Sequence, residues 1–84
     1  MKHHASPSFW ENYDKLPKHI KELADNNFEF LKRDPNHPSL HLKKVEQYWS
    51  VRVGIKYRAL AVEIEDDLLW FWIGPHSEYD KILK

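Results

Sequence analysis

The stretch that most constrains the fold covers residues 48–76, YWSVRVGIKYRALAVEIEDDLLWFWIGPH. At its start, apolar and polar side chains alternate with the two-residue period of a β-strand. Gly54 opens a short link, because glycine can adopt a positive φ, and an acidic run at residues 65–67 makes a second turn. The stretch therefore predicts three consecutive antiparallel strands over residues 48–53, 57–64 and 68–73, the last of which is ended by Gly74-Pro75.

Two helices are predicted in front of these strands. Ser6 and Pro7 are typical of a helix start, since the serine side chain can cap the first turn and the missing proline N–H costs nothing there. Apolar residues then recur at spacings of three and four up to Arg33, and Asp34-Pro35 ends the second helix. We expect helices over residues 7–15 and 17–33, and a short third helix over residues 77–83.

Two further segments complete the sheet. Residues 40–45 alternate as a strand, and residues 1–5 could pair at an edge, so the element order is β-α-α-β-β-β-β-α. Because helices and strands are segregated, we predict an α+β fold, in which an N-terminal helical hairpin covers a twisted antiparallel sheet and a short helix ends the chain. Eighty-four residues correspond to a single domain, residues 1–84.

Composition excludes several classes of protein. The chain has no cysteine, which excludes disulfides and thiolate chemistry and fits a reducing compartment. No apolar run approaches the ~20 residues of a membrane-spanning helix, and the first residues lack the apolar run of a signal peptide. We therefore expect a cytoplasmic protein with no membrane partner.

The formal net charge is zero, but the charges are unevenly distributed. Residues 41–58 carry five Lys or Arg and one acidic residue, +5 − 1 = +4, whereas residues 59–84 carry two Lys and six acidic residues, +2 − 6 = −4. A basic half of a sheet could bind a polyanion such as RNA, or an acidic protein. The alternative is that these cations form a solvated edge that keeps the strands soluble and unpaired.

No metal or cofactor is expected. His3 and His4 are adjacent, so their side chains point to opposite faces of a strand, and Pro38 prevents His37 and His41 from meeting on one helical turn. The chain has two glycines, too few for a glycine-rich phosphate loop, and none of its serines stands in a nucleophile motif.

What remains is arginine, histidine and tyrosine chemistry on a sheet. Arg52 and Arg58 lie on neighbouring predicted strands, so their side chains can be close and bind a phosphate. His76 follows the third strand and can exchange a proton near neutral pH. Each of these residues also has a structural alternative. Arg58 could form an ion pair with Glu63, Glu78 or Asp80. His76 could cap a helix or lie at the surface, and Tyr79 could serve in packing.

Such residues suffice to cleave RNA without a metal. A base deprotonates the 2′-hydroxyl, a cation stabilises the charged phosphate, and an acid protonates the leaving 5′-oxygen.

The aromatic residues leave a further possibility open. In a regular strand, Trp70 and Trp72 point to one face and Phe71 to the other, so we expect aromatic side chains on both faces of the sheet. One of these faces could be a second packing surface, a partner interface or a platform on which bases stack.

The segment YWSVRVGIKYRALAVEIEDDLLWFWIGPHSEYDKIL resembles the C-terminal half of the RelE/ParE superfamily of bacterial toxins. The likeness is carried by a strand ending in Arg-Val-Gly, a Tyr-Arg strand, an acidic turn, an apolar strand, and Gly-x-His followed by Tyr-Asp-Lys. The order of elements agrees over essentially the whole chain. The resemblance implies the toxin of a type II toxin–antitoxin module, which a cognate antitoxin protein neutralises.

Within that superfamily, RelE-, YafQ- and HigB-like members cleave mRNA on the ribosome, whereas ParE-like members inhibit DNA gyrase. The Gly-x-His ending is more similar to the YafQ- and HigB-like nucleases. The resemblance implies that His76 is the catalytic acid or base, that Arg58 contacts the scissile phosphate, and that Tyr79 lies near the aromatic that orients the nucleotide. The RNA-binding candidates are Arg52, Lys43, Lys44, His41 and Lys56.

The chain also departs from the pattern. RelE-type enzymes carry paired lysines where this chain has Trp49, Ser50 and Arg52, and either His37 or His41 could take the place of the histidine found in YafQ-like members. The hypothesis from sequence is an mRNA endonuclease. Its alternatives are a ParE-like inhibitor of gyrase, or an inactive relative that acts as a binding module.

Overall fold

The computed structural model describes residues 2–83, and its elements follow one another in the order that the sequence predicts. The strands are β1 (His3–Ala5), β2 (Lys43–Val45), β3 (Tyr48–Val53), β4 (Tyr57–Ile64) and β5 (Asp67–Pro75), and the helices are α1 (Pro7–Asp14), α2 (Lys18–Arg33) and α3 (His76–Ile82). Within residues 2–83, no helix combines the length and the apolar character needed to cross a bilayer.

The strands form one five-stranded sheet in the order β1-β5-β4-β3-β2. Antiparallel pairing is confirmed from β2 through β5. The sheet is nevertheless mixed, because β1 runs parallel to β5, where Ser6 N–H donates to the Trp70 carbonyl and Leu68 N–H to the Lys2 carbonyl, both at 2.9 Å. A three-residue strand carries too little pattern for its direction to be predicted from sequence.

The helices begin and pack as their residues dictate. The Ser6 side chain caps α1 by accepting from the Phe9 N–H, with Pro7 at the first helical position. In α2, Ile20, Asn27 and Leu31 are buried at helical spacing. Asn27 is polar, and its buried side chain is satisfied because Nδ2 donates to the Arg52 carbonyl at 2.9 Å.

The two faces of the sheet have different environments. The face against α1 and α2, here called the covered face, contributes to the main apolar core with the following residues: Val51, Val53, Ala59, Ala61, Leu68, Trp70 and Ile73. The opposite, open face carries the alternate residues, which are Tyr48, Ser50, Arg52, Arg58, Leu60, Trp72 and Gly74. Ser50 and Leu60 are buried on the open face, and α3 contacts β4 and β5.

Several predicted boundaries shift. The strand predicted over residues 40–45 covers only Lys43–Val45, since His41 adopts a left-handed φ of 47° that a strand does not contain. β5 runs from Asp67 to Pro75, past its predicted end, and α3 begins one residue early at His76. The predicted positive φ at Gly54 is confirmed at 65°.

A β-bulge changes which aromatic residues share a face. Leu60 is paired with Trp72 and Ala61 with Trp70, so Phe71 is an extra residue in β5. Trp70 packs in the core of the covered face, while Phe71 contacts Tyr48, with ring centroids 5.5 Å apart. The expectation that Trp70 and Trp72 share a face is therefore wrong, because strict alternation does not continue through a bulge.

Candidate functional site

The candidate site is organised by a row of three residues across the open face. Arg52 on β3 is paired with Arg58 on β4, which is paired with Gly74 on β5. Residues directly opposite each other in a sheet project from the same face, so the two arginine side chains share one face, as the sequence indicates. Like charges in directly opposed positions destabilise a sheet, and an anion between them would remove that cost.

Arg58 is held in place by backbone oxygens rather than by a carboxylate. Its Nη1 donates to the Ile55 carbonyl at 3.2 Å and to the Tyr57 carbonyl at 2.8 Å. Within residues 2–83 it forms no ion pair, which removes the alternative in which Arg58 is a structural salt-bridge partner. Partial burial and, next, the charge of Arg52 lower the pKa of Arg58, so both act against its positive charge.

Arg52 has a fixed backbone and an unsatisfied side chain. Its N–H donates to the Leu40 carbonyl at 2.7 Å, and its carbonyl accepts from Asn27 of α2. The guanidinium Nε is buried and has no hydrogen-bond partner among residues 2–83. A buried donor without an acceptor is unfavourable, so a ligand that offered this Nε an acceptor would gain binding energy from it.

His76 stands at the junction of β5 and α3, beside this row. Its N–H donates to the carbonyl of Lys56 in the β3–β4 turn at 2.7 Å, which fixes the start of α3 against the hairpin. The imidazole stacks on Tyr79 with centroids 5.7 Å apart, and its Nδ1 lies 3.7 Å from Oδ2 of Asp80. The imidazole is about half exposed, so it can reach a ligand, whereas Tyr79 is buried.

The predicted basic residues divide between the two faces. Lys43 is opposite Ser50 and therefore shares the open face with Arg52. Lys44 points to the other face, where its Nζ lies 3.6 Å from Glu63 Oε1 and over the Trp49 ring.

The other two predicted RNA-binding residues lie near the arginine row without pairing in it. Lys56 is exposed in the β3–β4 turn. His41 is exposed and lies outside the strands, next to Leu40, whose carbonyl accepts from Arg52. His37 stacks on Phe30 at 4.1 Å and accepts from Ser39, so its ring is engaged by the loop itself.

Two residues of this region were named in the sequence analysis but were not assigned to the site. Asp80 lies one helical turn after His76, a spacing of four that a helix brings together. Gly74 is required sterically, since a Cβ at that position would lie 2.6 Å from Cζ2 of Trp72. Within residues 2–83, no group of three or more His, Cys, Asp or Glu side chains has the geometry to hold a metal ion.

Sequence comparisons and structure comparisons give different results. No protein-family model and no curated protein matches this chain. Among solved structures, the chain is similar to the RelB-RelE antitoxin-toxin complex from Methanococcus jannaschii, with a TM-score of 0.75, 16% identity, and coverage of 96% of this chain and 99% of that chain.

Two further solved structures are similar along nearly their whole length. YafQ from E. coli strain BL21(DE3) matches with a TM-score of 0.70 and 12% identity, covering 93% of this chain and 96% of that chain. The YoeB/ParE toxin from Agrobacterium tumefaciens matches with a TM-score of 0.67 and 18% identity, covering 90% and 99%. The chain therefore has the RelE/ParE toxin fold, as the sequence resemblance implies.

Proposed function

We propose that this chain, which has the RelE/ParE toxin fold, is the toxin of a toxin–antitoxin module and cleaves mRNA on the ribosome. The observation that carries the proposal is the pair of opposed arginines on the open face, which have no carboxylate partner among residues 2–83. A fold by itself does not determine activity, so the proposal depends on these side chains and on the histidine beside them.

In the proposed reaction, Arg58 and Arg52 bind the scissile phosphate. The buried Nε of Arg52 gains its missing acceptor, and the guanidinium groups offset the charge that develops on the phosphate oxygens. A base removes the 2′-hydroxyl proton, and the 2′-oxygen attacks phosphorus. The bond from phosphorus to the 5′-oxygen breaks, and an acid protonates that oxygen, leaving a 2′,3′-cyclic phosphate.

His76 is the proposed acid or base, because its half-exposed imidazole can both donate and accept a proton and because it follows closely after Gly74, the β5 residue of the arginine row. Tyr79, which is buried and stacked against His76, holds the imidazole in place. Lys43 and Lys56 extend the positive surface for the RNA backbone, and His41 lies at its margin. Lys44 is omitted from the RNA-binding set because Glu63 engages it on the other face.

The proposed partner in the resting state is a cognate antitoxin protein. Solved structures with this fold include antitoxin–toxin complexes from Methanococcus jannaschii, Pyrococcus horikoshii and Mycobacterium tuberculosis. An acidic segment of such a protein could cover the arginine row, since carboxylates would satisfy the same donors as a phosphate.

The test is induced expression in a bacterium of wild type, Arg58→Ala, His76→Ala and the control Arg33→Ala, followed by mapping of new mRNA 5′ ends. Arg33 lies at the exposed end of α2, away from the open face. Growth arrest with codon-phased cuts in wild type and the control, lost in both site variants, is expected. Arrest with intact mRNA and inhibited gyrase would favour the ParE-like alternative, and no arrest would contradict both.

A further inference from the structure

The tryptophans on the sheet differ in how their indole N–H groups are satisfied. Trp49 Nε1 donates to Glu63, and Trp70 Nε1 donates to His3 Nδ1 at 3.1 Å. The indole of Trp72 has no hydrogen-bond acceptor among residues 2–83, although Trp72 lies in the middle of β5. Trp72 is only partly buried and its Nε1 is not among the buried atoms that lack a partner, so this N–H stays accessible, unlike those of Trp49 and Trp70.

The bulge in β5 places Trp72 on the open face. If Phe71 were paired as a regular strand residue, strict alternation would place Trp70 and Trp72 together on the covered face, where Trp70 packs. Instead, Trp72 is opposite Leu60 and only partly buried, and Phe71 beside it contacts Tyr48. The open face therefore carries an aromatic group as well as the two arginines.

Gly74 brings the Trp72 ring close to the arginine row. The indole atoms Cζ2, Cε2 and Cη2 lie at 2.6, 3.1 and 3.2 Å from the position that a Cβ of Gly74 would occupy. The ring therefore extends along β5 over Gly74, which is the residue paired with Arg58. Any side chain in place of the glycine would displace the ring from this position.

We propose that the Trp72 indole is a stacking platform for a nucleobase of the RNA strand whose phosphate Arg52 and Arg58 hold, an inference that rests on the proposed function. Aromatic side chains beside a positively charged groove are the combination by which proteins bind single-stranded nucleic acid. Every base offers a flat π surface, so such a platform binds without a strict preference for sequence. The free indole N–H is available to an acceptor on the base or the ribose.

The adjacent charge favours a nucleic acid over an apolar protein segment at this place. Arg58 and Arg52 lie in the row next to Trp72, and Lys43 shares the same face in the row of Ser50, Leu60 and Trp72. An apolar segment would bury these cations without neutralising them, whereas a nucleotide presents its phosphate and its base together.

The experiment measures binding of the purified chain to a single-stranded RNA of about six nucleotides and to the same RNA with abasic positions. The variants are Trp72→Leu, Trp72→Phe, Arg58→Ala and the control Trp10→Leu, which removes an exposed tryptophan of α1. Wild type is expected to bind the base-containing RNA roughly tenfold more tightly than the abasic RNA. Trp72→Leu should lose that ratio, Trp72→Phe should keep most of it, and Trp10→Leu should not change it.

Gly74→Ala tests the geometry separately. In the wild-type background the new methyl group displaces the indole and should reduce the ratio between the two RNAs. In the Trp72→Leu background the same change should have no further effect on the ratio, because the ring that it displaces is gone. Equal losses of the ratio in both backgrounds would contradict the role given to Gly74 in positioning Trp72.

The outcomes separate this inference from the proposed function. Salt-dependent binding that Arg58→Ala weakens, with no preference of wild type for bases over abasic positions, would overturn the platform and leave RNA binding intact. Should Trp72→Leu fail to fold, the wild-type ratio and the Trp72→Phe variant still decide the matter. Binding of neither RNA by wild type would contradict the platform, whereas the proposed function would still be decided by the mapping of mRNA 5′ ends.

Discussion

The covered and open faces of the sheet differ in how completely their polar groups are paired. On the covered side, Asn27 donates to a backbone carbonyl and Trp70 donates to His3, so buried polarity is satisfied within the chain. On the open side, Arg52 has an unpaired buried Nε and is opposite a second arginine. The difference teaches that one sheet can stabilise the fold with one surface and leave polar groups unpaired on the other, where we propose the binding site.

This separation predicts that mutations on the two faces affect different properties. Two arginines in opposed positions act against folding, and burial of the covered face acts in the opposite direction. Changes to the open face should therefore alter activity and leave stability unchanged or improved. Changes to the covered face should lower the free energy of unfolding and leave the chemistry of the folded protein unchanged.

The largest expected effect is that of Arg58→Met on activity. Removing the group that offsets charge at the phosphate should lower RNA cleavage about 10²–10³-fold. The urea midpoint should change little, because relief of the opposed Arg52 charge and of guanidinium burial offsets the loss of the hydrogen bonds to the Ile55 and Tyr57 carbonyls. Cleavage assays test the expected loss of activity, and urea unfolding of the same preparation tests the expected stability. A large loss of stability would contradict the contrast between the faces.

The next effect is that of Leu40→Ala on stability. Leu40 is 1% exposed in the main core, and truncation should lower the free energy of unfolding by about 2–5 kcal/mol. Ile64→Ala, at a residue that is 51% exposed, is the matched control and should change it by less than about 1 kcal/mol. Urea unfolding measures both, and similar losses in the two variants would mean that the apolar core lies elsewhere.

The smallest effect is a pH dependence on the covered side. Burial is the largest of the causes that lower the pKa of His3 below 6.5, so the folded chain favours its neutral form. Neutral His3 accepts from Trp70. Its contribution to stability is fully present above pH 6.5 and is lost as the pH falls through the lowered pKa.

Urea midpoints measured from about pH 7.5 to about pH 5 test this dependence. The loss should be at most about 1 kcal/mol, the usual net contribution of one hydrogen bond. The lowered pKa of Asp67, whose ordinary value is 3.8, acts below this window. His3→Phe should flatten the profile between these pH values, and an unchanged slope would assign the dependence to another group.

Local signals in the sequence were sufficient for much of the fold and for part of the site. The elements predicted from the alternation that begins at residue 48, from Ser6-Pro7 and from Gly54 are confirmed. Each of these signals acts over a few neighbouring residues. The pairing of Arg52 with Arg58 was also predictable, because a tight turn joins their strands. The left-handed backbone of His41, which shortens β2, has no comparable local signal.

The sequence by itself determined the order of the elements, the nature of the core and the placement of both arginines beside His76. Only the tertiary structure decided that β1 runs parallel, that Lys44 turns to Glu63, and that a bulge brings Trp72 onto the open face. The physical reason is the range of the interactions. Periodicity and turn chemistry act between near neighbours, whereas a strand's direction, an ion pair across strands and a register shift depend on partners distant in the chain.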